Sequence, residues 1–534
     1  MTRIDERVST HVYKVKRISK EEMESIAGVC VYDQSPFCNA ACPLKLDVKA
    51  MLKAAAENDF KKAFKIYESI APFPLILSAG CGAPCEEKCR LCELGDGIAI
   101  GDIERAVALS GGAGEKRSIF RVRKKKKAAV FGSGLFALLL AGELEKKGYP
   151  VTAICGEADE EEYLRVAAGF LREDDFYTEL KRLRGKDIAF KFNAEMTREL
   201  FEEKRGGFDV LCASEKAALD IFPGAVRDEG IMLMESEGLL TGGGETVLEA
   251  ALGARKAALT ADRLAQGIDP RSARGEEGPV TSRLYTNPDL ARGLIRIKGC
   301  ESGYTREQAA EEAGRCMQCH CDECLRGCAY LRRFNKHPGL LSREIYNNTQ
   351  IIMGDHPLNR AMNACALCGQ CTVTCPHGFD MAHVCRTARE NMVDTDKMPL
   401  AAHEFALLDM LFSNGEAYLC RKQPGHSHCR YVFFPGCQAA AIAPEAVIAA
   451  YEDLCTRLKG GVALMLGCCG AIAHWAGRGE MYGEVRDKIA AELAALEDPV
   501  IIAGCPSCMK LLSEQDMAET VGIWTVLRDR GLPD

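Results

Sequence analysis

The run "CALCGQCTVTCP" places Cys365, Cys368, Cys371 and Cys375 at C-x2-C-x2-C-x3-C, with a proline directly after the last thiol. Gaps this short let three thiolates wrap one [4Fe–4S] cube while the fourth reaches a neighbouring cube. The neighbour needs its own set, and "CMQCHCDECLRGC" supplies Cys316, Cys319, Cys324 and Cys328, with Cys321 spare. By that exchange, Cys316, Cys319, Cys324 and Cys375 hold one cluster, and Cys365, Cys368, Cys371 and Cys328 hold the other. A zinc ribbon is the competing reading; the matched sets and the proline favour cubes. The intervening residues 329–364 read as helical rather than stranded.

Cysteine is abundant throughout, 28 of 534 residues, and falls in three islands. The first holds Cys30, Cys38, Cys42, Cys81, Cys85, Cys89 and Cys92; the second runs from Cys316 to Cys375 and the third from Cys437 to Cys508. The opening "MTRIDERVSTHVYKVKR" lacks the apolar segment of a signal peptide. The most apolar stretch, "AAVFGSGLFALLLAG", is shorter than the ~20 residues of a membrane span. A cytoplasmic chain with no membrane span is therefore expected, where clustered thiols hold metal rather than form disulfides. The net charge of -8 argues against a nucleic-acid partner. Cys155, Cys212 and Cys300, between the islands, read as small buried hydrophobes.

The second island resembles the α-helical ferredoxin module of the heterodisulfide reductase family. The third contains Cys437 in "FFPGCQAAA", the adjacent Cys468 and Cys469 in "GCCGAIAHW", and Cys505 and Cys508 in "GCPSC". Adjacent cysteines make poor disulfide partners. "YVFFPG" and "PVIIAG" read as buried parallel strands whose glycine turns expose thiols at the strand ends. This order resembles the CCG domain of the same heterodisulfide reductase family, over about residues 430–534. The resemblance implies that the five thiolates bind a noncubane [4Fe–4S] unit and form the catalytic site. A reactive dithiol pair without metal is the alternative. The family often carries two such motifs and this chain has one complete copy, which leaves open whether the site reduces a substrate or only passes electrons.

In the first island, "CVYDQSPFCNAACP", "CGAPCEEKC" and "IAIGDIERA" resemble the N-terminal cluster domain of the glutamate synthase small-subunit family. That family's pattern is C-x2-C-x4-C-x3-C-P, and Asp33 stands at its second cysteine. The resemblance implies one cluster on Cys42, Cys81, Cys85 and the carboxylate of Glu104. The other would take Cys30, Cys38 and Cys89, with Asp33 or Cys92 as fourth ligand.

Between the islands, "VFGSGLFALLLAGELEKKGYPVTAIC" reads as strand, glycine turn, helix and strand, with Gly132, Gly134 and Ala137 in G-x-G-x-x-A. Glycines there let backbone amides approach a pyrophosphate at a helix N-terminus. The acidic ribose partner is displaced, Glu157 lying two residues beyond Cys155. The segment resembles an abridged flavoprotein part of the glutamate synthase small subunit. It lacks the second, nicotinamide-binding Rossmann domain, so an NAD(P) site is not expected. "GLLTGGGETVLEAALGARKAA" resembles the family's last flavin turn, with Gly243 and Thr246 as cofactor-binding candidates. The Gly-Asp of that turn reads Gly238-Leu239. FAD and an empty scaffold are both open. The lysines at 124–127 read as a solvated linker, and "CRKQPGHSHC" (Cys420, His426, His428, Cys429) as a polar loop rather than a small extra metal site.

The expected architecture is multidomain. Residues 1–122 form an α-helical 4Fe–4S domain, and 123–267 an α/β, Rossmann-like abridged FAD domain. Residues 268–400 form an α-helical ferredoxin dicluster domain, and 401–534 an α/β CCG domain. The expected function is an oxidoreductase, or a subunit of one, passing electrons through several clusters to the CCG site, with a non-catalytic wiring subunit as the alternative. Expected partners are other redox subunits or an electron donor such as a ferredoxin, flavoprotein or dehydrogenase. Oxygen-sensitive clusters suggest an anaerobic setting.

Overall fold

A computed structural model describes residues 18–110, 123–272, 274–299, 303–399 and 401–531. The chain divides into two compact units, Val31–Cys321 and the described residues of Met1–Cys30 with Asp322–Asp534. Cys300 lies outside the described residues.

In the Val31–Cys321 unit, short helices come first, among them Val48–Ala56, Phe60–Glu68, Pro74–Gly80 and Ile100–Ser110. Asp47 and Asp59 cap two of them, accepting from the amides of Ala50 (3.1 Å) and Lys62 (3.0 Å). A six-stranded sheet follows: β1 (Ala128–Phe131), β2 (Val151–Ile154), β3 (Ile188–Lys191), β4 (Val210–Ser214), β5 (Leu233–Met234) and β6 (Leu239–Gly242). Its order is β3-β2-β1-β4-β6-β5, parallel except where β5 pairs with β6. The apolar stretch after β1 is the helix Leu135–Lys146, buried from Phe136 to Glu145 and packed against the long helix Val247–Gln266. That two-sided burial explains its hydrophobicity.

Two expectations need correction here. The lysine run is no free linker: Lys124 pairs with Asp262, Lys126 donates to the Ala265 carbonyl, and the Lys127 amide donates to Asp209 (2.8 Å). The residues from Lys124 thus clamp the entry of β1 to the helix Val247–Gln266. Nor does Gly238-Leu239 form the flavin-type turn. Leu239 lies inside β6 and is fully buried, and the turn after β6 falls at 243–246.

The segment after Val247–Gln266 returns to the start of the same unit. Val280 donates to the Ala40 carbonyl (2.8 Å) and Ser282 to the Ser35 carbonyl (2.7 Å). The helix Arg306–Gly314 then packs against Val48–Ala56 and Ile100–Ser110. Residues 306–321 therefore belong structurally with the N-terminal helices.

The other unit has a helical part and a sheet part. Helices Lys20–Ala27, Ala329–Phe334, Pro338–Thr349, Asn359–Ala364 and Met381–Asp394 surround a core of Leu331, Leu341, Ile345, Met362, Phe379 and Val384. The sheet contains β7 (Leu419–Arg421), β8 (Tyr431–Phe434), β9 (Val462–Leu466), β10 (Val500–Ala503) and β11 (Thr520–Gly522). Their order is β11-β10-β8-β9-β7, with only β7 antiparallel to its neighbour.

Candidate cluster-binding sites

The three neighbouring strands β10, β8 and β9 each end in a turn carrying thiols. After β8, Gly436 takes φ +88° and leads to Cys437, the first residue of the helix Cys437–Ile442. A Cβ at Gly436 would lie 3.1 Å from the Cys505 Cβ and 3.3 Å from the Cys508 Sγ, so glycine is needed for the close approach. After β9 come Cys468 and Cys469, and the Cys468 amide donates to the Asn414 Oδ1 at 2.8 Å. After β10, Cys505 precedes the helix Pro506–Glu514, which carries Cys508 in its first turn. Thiol contacts run from Cys437 to Cys468, to Cys469 and to Cys508. A hydrogen bond with Cys437 pulls the Cys468 thiol down, but Cys469 and burial outweigh it and lift it to about 11. Such a crowd of buried thiols is unfavourable as thiolates unless positive charge lies among them.

In the helical part of the same unit, the helix Glu323–Gly327 packs on Gln370–Thr374, a Cβ at Gly327 lying 2.9 Å from Thr374 Cγ2. This brings Cys328 near Cys371, whose thiol burial pushes up first and Cys365 and Cys328 push up further. Cys324 and Cys371 are buried, Cys375 is half-buried and Cys368 is exposed. Cys385, which its spacing never marked, shares a hydrogen bond with Cys365 that lowers the Cys365 thiol; the Tyr330 hydroxyl lies 3.7 Å from the Cys385 Sγ. In the sequence Cys385 is one more apolar residue on the buried face of the helix Met381–Asp394. Cys30 packs against this same core.

In the other unit, Cys42, Cys81 and Cys85 surround Glu104, which is 3 % exposed and lies beside the Tyr67 hydroxyl. Burial lifts the Glu104 carboxyl to about 8 and the Cys81 thiol to about 12. Cys42 accepts a hydrogen bond from the Leu46 amide at 3.4 Å.

The remaining N-terminal set departs from expectation. Cys38, Cys89, Cys316 and Cys319 line one cavity. Neither suggested fourth ligand lines it: Asp33 is exposed, and Cys92 is exposed with its thiol on the Glu86 carbonyl at 3.4 Å. Cys30 belongs to the other unit, as do Cys324 and Cys375. Among the described residues, no three His, Cys, Asp or Glu side chains gather closely enough to hold one metal ion. A four-iron cube spaces its ligand sulfurs more widely than a zinc ion does with its Zn–S bonds of about 2.3 Å.

At the dinucleotide-type turn, Gly132 and Gly134 take φ +84° and +100°, and a Cβ on Gly134 would meet nothing within 4 Å. Ala137 is fully buried against the sheet. The second turn is less accommodating to a pyrophosphate. A Cβ on Gly243 would collide with the Glu215 carboxylate, and the Thr246 hydroxyl is engaged in capping the Glu249 amide (3.2 Å). The polar loop before β8 gathers no common site: Cys420 lies beside Glu492, Cys429 beside Cys455, and His428 pairs with Glu497 at 2.9 Å.

The family model described as dihydropyrimidine dehydrogenase domain II, 4Fe–4S cluster, matches residues 7–112, and a 4Fe–4S dicluster domain matches residues 315–380. The chain is 28 % identical over 230 residues to the NADPH-Fe(3+) oxidoreductase subunit beta of Geobacter sulfurreducens, covering 40 % of this chain and 33 % of that protein. It is 28 % identical over 159 residues to the NADP(+)-dependent formate dehydrogenase subunit beta of Moorella thermoacetica, covering 25 % of this chain and 21 % of that protein. It is also 29 % identical over 146 residues to the glutamate synthase (NADPH) small chain of Azospirillum brasilense, covering 25 % of this chain and 29 % of that protein. The matched region spans a third or less of each relative's length. Two 4Fe–4S domains are thus present in the chain, along with a mostly parallel six-stranded sheet. No helix among the described residues is long and apolar enough to cross a membrane.

Proposed function

We propose that this chain is an iron–sulfur electron-transfer subunit of an oxidoreductase, and that its terminal site is the five-thiol centre of Cys437, Cys468, Cys469, Cys505 and Cys508. The observation that carries the reading is that the turns bearing these five residues lie at the C-terminal ends of three adjacent parallel strands. Ligand sites in open α/β sheets lie at that edge. The donor set fits a noncubane [4Fe–4S] centre, because two adjacent thiolates can serve neighbouring irons. In the helical part, Cys365, Cys368, Cys371 and Cys328 would hold one cube; in the other unit, Cys42, Cys81, Cys85 and Glu104 would hold another.

When bound, such clusters supply one-electron transfer, with potentials set by charge, hydrogen bonds and solvent exposure. The protein's share is to bury and orient the ligands. Asn414 fixes the backbone at Cys468, and burial of Cys468, Cys469 and Cys508 keeps water from the centre. FAD is a further candidate at the Gly132–Gly134 turn, where it would exchange electron pairs for single electrons. Redox partners are expected, since two of the relatives are named as beta subunits of larger enzymes.

The test is anaerobic reduction of a thiol disulfide by the purified protein with reduced viologen as donor. Turnover, with a change in the electron paramagnetic resonance signal of the five-thiol centre on adding the disulfide, supports the enzyme. An iron-replete protein whose signal is unmoved by any disulfide would instead be a wiring subunit.

A further inference from the structure

We propose that Cys38, Cys89, Cys316 and Cys319 together bind one [4Fe–4S] cluster, a composite site drawn from two ends of the Val31–Cys321 unit. The proposal rests on the reading of the chain as an iron–sulfur protein but changes which thiols share iron. The two family models meet at this point. Cys38 and Cys89 fall within residues 7–112, whereas Cys316 and Cys319 fall within residues 315–380.

Four observations converge. The cavity's other walls are largely apolar, with Phe37, Leu52, Leu91, Ile98 and Ile100, a dry setting suited to a buried inorganic core. Of the N-terminal thiols, Cys38 and Cys89 line the cavity, while Asp33, at the family's second cysteine position, is exposed. The pair Cys316-x2-Cys319 supplies two. Next, the delivery is built in. Glu312, fully buried, accepts from the amides of Ala99 (3.0 Å) and Ile297 (2.9 Å), and Arg315 donates to the Asp96 carbonyl (2.6 Å). These contacts fix the end of the helix Arg306–Gly314, directly before Cys316, to the strip that carries Ile98 and Ile100. Finally, the Cys316 sulfur already has a hydrogen-bond donor: Gln318 Nε2 reaches the Cys316 Sγ at 3.4 Å. Donors to ligand sulfurs and nearby cations favour the reduced cluster. Lys49, whose Nζ is 2.9 Å from the Cys319 carbonyl oxygen, provides such a cation.

The experiment compares iron and acid-labile sulfide in the full chain, purified without oxygen, for C38S/C89S, C316S/C319S and the quadruple variant. If the four thiols share one cube, each pair loses four irons and four sulfides, and the quadruple variant loses no more than either pair. Additive loss of eight irons overturns the composite site while leaving the protein an iron–sulfur protein; a wild type without iron sinks the broader reading instead. Because a pair variant can fail to fold, Gln318→Leu gives an independent check. It should shift the midpoint potential of the same resonance signal that C38S/C89S abolishes. A shift in a signal that survives C38S/C89S counts against the site. Cys92→Ser should leave the iron content unchanged.

Discussion

The guanidinium of Arg389 donates to the Trp475 carbonyl at 2.6 Å, and the same side chain donates to the Met362 carbonyl at 2.9 and 2.7 Å and to the Cys365 carbonyl. Cys365 opens the ferredoxin-type run, while Trp475 ends the short helix that follows Cys468 and Cys469. One buried cation thus ties the backbones of two thiol centres in the same unit. Gly477 allows it: a Cβ there would lie 2.6 Å from the backbone of Arg389.

Replacing Arg389 with leucine should cost about 3 kcal/mol or more, since it leaves several buried carbonyls without donors. Lysine should restore only part of this, because an ammonium cannot span the fork of acceptors. Urea unfolding of the reconstituted protein measures both, and wild-type stability in R389L would remove Arg389 from this role.

At the five-thiol centre, Cys469→Ser should abolish disulfide reduction and remove that centre's resonance signal. The other clusters, on separate ligands, should keep theirs. Iron analysis alongside low-temperature resonance spectra provides the check, and an unchanged spectrum would exclude Cys469 as a ligand.

At the entry to β1, burial favours the neutral form of Asp262, but Lys124 and Tyr149 outweigh it and hold the carboxyl below its usual range. A folded-state value below the unfolded one, about 3.9, means that ionised Asp262 stabilises the fold at neutral pH. That contribution persists down to about pH 5 and disappears as pH falls through the carboxylate range. Asp262→Asn should therefore lower stability by about 1 kcal/mol at pH 7, and the gap from wild type should narrow as pH falls through the carboxylate range. Denaturant midpoints of the two proteins across pH give the comparison.

Gly134→Val should remove any bound flavin while sparing the iron. Valine resists the +100° φ, and its side chain would occupy the space open to a phosphate. Fluorescence of flavin released on denaturation reads this directly. A wild type that releases none leaves the sheet as an empty scaffold.

Local spacing carried the sequence reading a long way. The strand-end thiols at Cys437, Cys468 and Cys508 are legible because each follows a buried apolar run and a glycine. The approach of Cys328 to Cys371 is legible because a three-residue gap before proline implies exchange between neighbouring sets. The packing of the segment that carries Cys316 and Cys319 is not legible. Counting residues groups them with Cys324, but the buried carboxylate of Glu312 ties their helix to Ala99, a contact with no local signature. Cys385 was missed because a thiol on an apolar helix face looks like core. The flavin-type turn was misplaced onto Gly238-Leu239 because several glycines lie close together and β6 is only four residues long.

The Glu312–Ala99 bond joins residues 213 positions apart. A nascent chain emerges N-terminal end first, at about 5–20 residues per second. The helices around Val48–Ala56 and Ile100–Ser110 therefore leave the ribosome well before the helix that completes their packing. For many seconds Cys38 and Cys89 are without the segment that carries Cys316 and Cys319. Maturation of this half should consequently follow release of the later segment, and depend on whatever shields those thiols in the interval.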